Sequence, residues 1–329
     1  MRPLIAALLV AALAGTGSAP ERAQAGPAGP AAWPTKPLTL VVPSAGGSAP
    51  DVLARALAHK LGPLLGQAVI VDNRAGANGA IASEWVARAR PDGHTLMLGY
   101  IATHAMNPAL RKLKYHPVAD FTPIGLVAYS PTLMVANAAT PVTSVQDLVA
   151  QLKASPDKYS YATAGHGTAP HFAGELFKLS AGVVMLGVPY KGSAPALSDT
   201  IGGLAQFMFP SLFAALPHIR SGKLRALGVA GPARLKGLPD VPTLREAGVD
   251  GVDVSQWYAV FAPARTPRPV VDKLNQALNA ALADADLIKR LQDHGAEVQP
   301  GTPAQLARLV QDELAKWQGV VQAARLTAD

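Results

Sequence analysis

The sequence predicts an α/β protein with a largely parallel sheet. From Lys36 onward, short apolar runs of strand length alternate with segments whose apolar residues recur at helical spacing. Glycine- and proline-rich joints separate the two kinds of segment, as is typical where a strand turns into a helix. With 329 residues, 49% of them hydrophobic and 16% charged, the chain is long enough to bury a sizeable core in two domains.

The first set of elements begins with the apolar run LTLVV and ends with a long apolar segment. Its exit from the third strand, IATHAMNP, is unusual because Thr103, His104 and Asn107 stand there. The long segment predicts a crossing strand and hinge. In order, we predict a strand at 37–42, a helix at 51–65, a strand at 68–73, a helix from 76 that ends before Pro91, a strand at 94–100 and the crossing strand at 121–137.

A second set of alternating elements follows, and the chain then returns to the first set. The last three helical segments have ordinary amphipathic spacing, so we expect their apolar stripes to face the core. The predicted order is helix 144–154, strand 159–165, helix 169–182, strand 184–190, helix 194–203, strand 204–211, helix 212–222, strand 223–231, returning strand 255–264, and helices 270–284, 285–295 and 303–324.

Composition and charge exclude several classes of function. The chain has no cysteine, which excludes disulfides, thiolate metal sites and cysteine nucleophiles. Its net charge of +7 is spread thinly, without a basic run or an aromatic-interleaved patch, so we expect no nucleic-acid partner. No segment after the N-terminal region is apolar over the length of a membrane span, and we therefore expect a protein that is not embedded in a membrane.

The N-terminal residues 1–25 predict a cleavable signal peptide. Arg2 precedes the apolar stretch 4–14, which is too short to span a bilayer as a helix. Ala23-Gln24-Ala25 offers a cleavage site, and Gly17-Ser18-Ala19 is a weaker alternative because Pro20 follows it. We expect an exported, periplasmic protein whose mature chain begins near Gly26.

The joint PSAGGSAPD between the first strand and the first helix has small residues and no bulky side chain. Glycines allow close approach to a ligand, and the first turn of a helix has N–H groups without a partner inside the helix, so this joint can bind an anion. The alternative is a tight turn alone. The candidate residues are Ser44, Ala45, Gly46, Gly47, Ser48 and Asp51.

Three further joints repeat this design at the predicted carboxyl ends of strands. Together they predict a small-molecule cleft lined by uncharged donors, which suits a carboxylate. In the second joint, Thr168 stands where an N-cap is expected and Pro170 where an early-helix proline is expected. The candidate residues are Thr163, Gly165, His166, Gly167, Thr168 and His171 in the second joint, Ser193 in the third, and Asn73 and Gly76 in the fourth.

Catalytic and metal-binding interpretations find less support. The sequence contains no GxSxG, GxxxxGK[ST] or HExxH motif, and the first joint contains no GxGxxG motif. His166 and His171 have no acidic or cysteine companions, so we expect a structural or ligand-facing role and neither a metal nor a cofactor. Asp51 and Asp199 either stabilise helix starts or contact the ligand. The enzymatic alternative is a secreted hydrolase or lyase that uses His104, His171 and Asp199.

Taken in order, several long motifs resemble the Bug family, the periplasmic solute receptors associated with tripartite tricarboxylate transporters. The resemblance covers the chain from Trp33 onward. The matching stretches are VVPSAGGSAPDVLAR, VIVDNRAGANGAIASEWVARARPDGHTLMLG, THAMNP, YSYATAGHGTAPHFAGELF, VPYKGSAPALSDTIGG, LPDVPTLREAGVDG and QWYAVFAPA.

The resemblance implies a type II periplasmic-binding-protein fold, in which crossing strands join two α/β lobes with the ligand cleft between them. Lobe one would comprise residues 33–133 and 255–329, and lobe two residues 134–254. The joint 163–171 would hold a ligand carboxylate, and the joint 44–51 would hold bridging waters. By position, Asn73, Gly76, Thr103 and His104 would complete the lobe-one wall, and Lys191, Gly192, Ser193 and Asp199 would lie near the lobe-two wall.

The first joint departs from the family pattern. That pattern has an aromatic residue after the proline and a later glycine pair, whereas Ser44 follows Pro43 here and Gly46-Gly47 come early. We expect this change to alter the shape of the joint and to admit a bulkier or differently shaped acid.

The expected function is that of a monomeric, non-catalytic receptor that closes around a small organic carboxylate and delivers it to membrane transporter subunits. The alternative partner is a signalling protein, in which case the chain is a sensor subunit.

Overall fold

The computed structural model describes residues 33–327, and the predicted signal peptide lies outside them. The strands are β1 (Leu38–Val42), β2 (Val69–Asn73), β3 (Thr95–Tyr100), β4 (Phe121–Asn137), β5 (Ser160–Thr163), β6 (Leu186–Pro189), β7 (Phe207–Met208), β8 (Leu224–Ala230), β9 (Ser255–Pro263) and β10 (Glu297–Val298). The α-helices are α1 (Ala49–Leu65), α2 (Ala80–Ala87), α3 (Asn107–Leu110), α4 (Val145–Ala154), α5 (Ala169–Ala181), α6 (Ser193–Gly202), α7 (Leu212–Arg220), α8 (Arg268–Leu282), α9 (Ala285–Asp293) and α10 (Pro303–Ala323).

The strands of the described residues form a mixed sheet in the order β2-β1-β3-β9-β4-β7-β5-β6, with β8 and β10 also paired to β4. β1 pairs in parallel with β2 and β3, and β5 pairs in parallel with β6 and β7. The two parallel groups flank the antiparallel pair β4 and β9. This is the α/β architecture with alternating strands and helices that the sequence predicts.

The long strand β4 belongs to both halves of the sheet. Its first part pairs with β9, from Phe121 opposite Pro263 to Pro131 opposite Ser255. Its second part pairs with β8, beginning at Thr132 opposite Ala230. The chain therefore passes between the halves in β4 and passes back between β8 and β9, which gives a two-lobed α/β structure.

The last helix, α10, packs the C-terminal segment against the sheet. Thr302 and Gln305 form a capping box at its start, which satisfies two backbone donors of the first turn. Trp317 is fully buried, and both its indole N–H and that of Trp257 in β9 lie within 3.3 Å of the Glu313 carboxylate. No helix among residues 33–327 is long and apolar enough to cross a membrane.

Several elements differ from the sequence prediction, including the unpredicted helix α3. The helix predicted from residue 76 is a short 3-10 turn followed by α2, because the chain passes through Gly79 with a φ of 86°. β7 is shorter than the predicted strand 204–211, because the Leu204 N–H bonds to the Asp199 carbonyl at the end of α6. The two-residue strand β10 was not predicted, because two residues are too few to show the alternation of apolar and polar residues that predicts a strand.

Candidate ligand-binding site

A cavity of about 660 Å³ lies where the parallel strands end. Its walls come from all four glycine-rich joints and from the segment after β3, as expected for the carboxyl edge of an α/β sheet. The sequence-predicted residues that line it are Ser44, Ala45, Ser48, Gly76, Gly165, His166, Thr168, Lys191, Gly192 and Ser193.

The first joint is held by its own hydrogen bonds. Ser48, the N-cap of α1, donates from its N–H and its hydroxyl to the Ala45 carbonyl, over 3.3 and 2.7 Å. The Gly47 N–H donates to Asp51 Oδ2 over 2.8 Å. The hydroxyl groups of Ser44 and Ser48 are 2.7 Å apart.

The second joint repeats this pattern residue by residue. Thr168, the N-cap of α5, donates from its N–H and its hydroxyl to the Gly165 carbonyl, over 3.3 and 2.6 Å. The Gly167 N–H donates to His171 Nδ1 over 3.3 Å. Gly167 has a φ of 81°, close to the 79° of Gly47. The two joints thus present equivalent helix starts to one cavity.

These bonds decide which backbone donors face a ligand. The N–H groups of Gly47, Gly165 and Gly167 are occupied within the joints, whereas the N–H groups of Ala49 and Ala169 have no acceptor among residues 33–327. Both alanines line the cavity at the first residue of a helix. The donors available for an anion are therefore those of the helix starts.

The two joints differ in the charge of the side chain beneath them. Burial by itself raises the pKa of the Asp51 carboxyl. Hydrogen bonds from Arg55, the Gly47 N–H and Asn73 have a larger opposite effect, so the pKa lies below its ordinary value. Burial lowers the pKa of His171 to about 4, so its imidazole is neutral at pH 7. A carboxylate at the α5 joint meets no buried like charge there, whereas one at the α1 joint faces Asp51.

The cavity wall is basic. Arg111 and Lys191 line it, and among the described residues no aspartate or glutamate does. Tyr100, Tyr190 and Tyr258 also line it, and burial raises the pKa of each, to about 12 for Tyr258, so each hydroxyl remains protonated at pH 7. The arrangement suits an anion with further hydrogen-bonding or apolar groups.

One contact crosses the cavity between the two halves of the sheet. Asn78 Nδ2 donates to the His166 carbonyl over 2.7 Å, and Arg111 Nη2 lies 3.5 Å from the same oxygen. A Cβ on Gly167 would lie 3.1 Å from Asn107 Oδ1 and 3.2 Å from Asn78 Nδ2. This close approach, together with the φ of 81°, favours glycine at position 167.

Several predicted residues support the joints without lining the cavity. Asn73 donates to the Ser44 carbonyl over 3.1 Å and accepts from Arg55, which in turn holds Asp51. Thr163 Oγ1 accepts from the Gly165 N–H. The other predicted residues outside the cavity wall are Gly46 and Gly47 in the first joint, Gly167 and His171 in the second, and Asp199, whose charge adds to the effect of burial in raising the pKa of Tyr190.

Two predicted residues lie in the core beside the cavity. The His104 ring is fully buried and stacks on Phe261 with centroids 3.8 Å apart. Burial lowers its pKa to about 3. Thr103 Oγ1 lies 2.9 Å from His104 Nδ1 and is bonded to both the N–H and the carbonyl of Tyr100, so this pair shapes the end of β3.

The sequence prediction omitted several cavity residues. Asn78 has a left-handed backbone with a φ of 58°, which asparagine tolerates, and the Asn-Gly pair at 78–79 is a sequence signal for it. No local signal distinguishes Arg111 from a surface arginine. The other omitted polar residues of the wall are Tyr100, Tyr190, Ser211, Gln256 and Tyr258.

Residues 53–326 match the family described as the tripartite tricarboxylate transporter family receptor, TctC. The chain belongs to this family. TctC relatives include BugT of Bordetella pertussis, which is 36% identical over 292 residues, covering 88% of this chain and 90% of BugT. This relationship confirms the resemblance to the Bug receptors.

Two solved structures of related proteins include a carboxylate ligand. R. palustris Rpa4515 with adipate has a TM-score of 0.86 and 38% identity, covering 90% of this chain and 99% of that one. MatC from Rhodopseudomonas palustris with bound malate has a TM-score of 0.84 and 38% identity, covering 88% and 100% of the two chains. The similarity confirms the two-lobed fold over nearly the whole described chain.

Proposed function

We propose that this TctC protein is a periplasmic receptor that binds a small organic carboxylate between its two lobes and delivers it to a tripartite tricarboxylate-type membrane transporter. One observation carries the proposal: the open N–H groups of Ala49 and Ala169 face one cavity whose described wall has basic but no acidic side chains. The adipate and malate of the two related structures are carboxylates, which agrees with this chemistry.

We place the carboxylate at the start of α5. The N–H donors of Ala169 and His166 are available there, and the imidazole of His171 beneath them is neutral. At the start of α1 the buried Asp51 carboxylate disfavours a second bare anion, so that joint favours a neutral group or a bridging water.

The lobes we propose are residues 33–133 with 255–329, and residues 134–254. This division is supported by β4, which changes its pairing partner between Pro131 and Thr132. Ligand contacts made by both lobes exist only in the closed form, so binding shifts the population toward closure. The closed form is what the transporter subunits recognise.

We further propose that the receptor is exported by residues 1–25, acts as a monomer and has no catalytic activity. The non-catalytic role is supported by the positions of His104 and Asp199. His104 is stacked against Phe261 in the core, and neither its side chain nor that of Asp199 is part of the described cavity wall.

A thermal-shift screen of residues 26–329 tests the function. The probes are adipate, malate and other small carboxylic acids, each with its amide as the matched neutral control, after refolding to remove any co-purified ligand. A bound acid at a hundred times its Kd stabilises the native state by about 2.7 kcal/mol. A shift with an acid and not with its amide supports the proposal, and equal shifts with both, or none, contradict it.

A further inference from the structure

A second cavity of about 300 Å³ adjoins the main one. The two cavities have a common partition, and every residue of it is an alanine or a serine: Ser48, Ala49, Ser193, Ala194 and Ala214. Such small side chains leave a gap that leucine or phenylalanine would fill. The partition formed by these five residues therefore contains a passage between the two cavities.

The passage lies where the first turns of three helices meet. Ser48 caps α1, Ser193 is the first residue of α6, and Ala214 lies in the first turn of α7. α1 belongs to one half of the sheet, and α6 and α7 belong to the other. The passage is thus part of the same cleft that contains the proposed carboxylate site.

The second cavity differs chemically from the first. Its wall combines the apolar side chains of Leu197, Ile201 and Phe213 with His218 and His294, and among the described residues it has no lysine, arginine, aspartate or glutamate. Phe213 stacks on His294 with ring centroids 5.0 Å apart. The main cavity has Arg111 and Lys191. The main cavity thus offers basic side chains to a carboxylate, and the second cavity offers aliphatic and aromatic contacts without lysine or arginine.

We propose that the second cavity is a subsite for the apolar tail of the ligand, so that this receptor takes amphiphilic carboxylic acids. The carboxylate lies at the start of α5, and the tail passes Ala194 and Ala214 to reach Phe213. This inference rests on the proposed carboxylate function and adds the class of acid. A short acid, which has no such tail, occupies only the main cavity.

Titration calorimetry with hexanoate and dodecanoate tests the subsite. Each methylene that is fully buried tightens binding roughly fourfold. We expect dodecanoate to bind the native protein at least about tenfold more tightly than hexanoate, which corresponds to burial of about two methylenes in the half-open second cavity.

Two variants close the passage. Ala194→Leu and Ala214→Leu place a larger side chain in the partition, and Ala194 is exposed enough to accept it without loss of folding. Each should remove the dodecanoate advantage, so that the two acids bind within about twofold of each other. Ala75→Leu is the matched control, since Ala75 lines only the main cavity and is exposed at its rim. It should retain the advantage.

The outcomes separate this inference from the function on which it rests. Loss of the chain-length advantage in both passage variants, with unfolding midpoints unchanged and the control unaffected, supports the subsite. An advantage retained in both passage variants, or absent from the native protein while hexanoate or adipate binds, overturns the subsite alone. Failure of every acid in the screen refutes the carboxylate function and the subsite with it.

Discussion

Removal of the Asn78 side chain should weaken ligand binding without weakening the fold. Its amide donates to the His166 carbonyl over 2.7 Å, although 88 residues separate the two. These residues belong to the two different lobes that we propose, so in the proposed hinge closure the bond forms only in the closed form. Asn78→Gly is the informative change because glycine accepts the φ of 58° that Asn78 has.

The expected magnitude is about 1 kcal/mol, the net contribution of one neutral hydrogen bond, or roughly a fivefold rise in Kd. The 3.5 Å contact from Arg111 to the same carbonyl is too long to replace the lost bond. Asn78→Ala should raise the Kd to the same extent but also lower the unfolding midpoint. A left-handed alanine costs about 1–2 kcal/mol in both the open and the closed form.

Calorimetry with the tightest acid from the screen gives the Kd, and pulsed EPR gives the distance between the lobes. The chain has no cysteine, so Leu64→Cys and Leu204→Cys, both at exposed positions, take spin labels selectively. Asn78→Gly should shift the distribution toward longer distances. As a control, Asn275→Ala removes bonds to the carbonyls of Ile124 and Gly301 within lobe one, and should lower the midpoint without changing Kd. An Asn78→Gly protein with native Kd and native distances would refute the reasoning.

Three further predictions concern pH, packing and charge. The pKa of His171 is about 4 in the folded protein and near 6.5 in the unfolded chain, so stability should fall by roughly 3 kcal/mol as the pH drops through this window. His171→Gln should flatten that part of the profile in urea unfolding, and an equally steep profile would contradict it. Gly79→Ala should cost about 1–3 kcal/mol, because Gly79 has a positive φ and the new Cβ would lie 2.6 Å from Thr103 Cγ2. Gly202→Ala, where the Cβ meets open space, should be neutral or stabilising, and equal midpoints for the two variants would contradict this. Lys191→Gln should weaken acid binding by about twofold to fivefold and reduce its salt dependence, whereas unchanged salt dependence would place the ligand away from Lys191.

Much of the fold follows from local patterns. The crossing strand predicted at 121–137 has the same bounds as β4, because its apolar residues are buried in both halves of the sheet. The N-cap prediction for Thr168 is confirmed by its position before α5, where Pro170 occupies the second residue. Such features depend on a few consecutive residues, so the sequence shows them directly.

The role of each candidate residue was harder to predict from the sequence. Thr103 and His104 look like site residues because polar side chains follow β3, yet the structure buries both against Phe261 and the backbone of Tyr100. Arg111 looks like a surface residue, yet it reaches the cavity beside the His166 carbonyl. Polarity indicates that a residue needs a partner, but it does not indicate which partner is near.

The sequence alone predicts the order of strands and helices, the glycine-rich joints at strand ends and, through the ordered motifs, the receptor family. These properties depend on short-range backbone preferences and on the length of matching sequence. The tertiary structure alone decided that the joints of α1 and α5 have equivalent hydrogen bonds. It also decided that a carboxylate lies beneath the first joint and a neutral imidazole beneath the second, and that a second cavity adjoins the main one. Those properties depend on residues far apart in the chain, and only the packing of the two halves brings their side chains within hydrogen-bond or van der Waals distance.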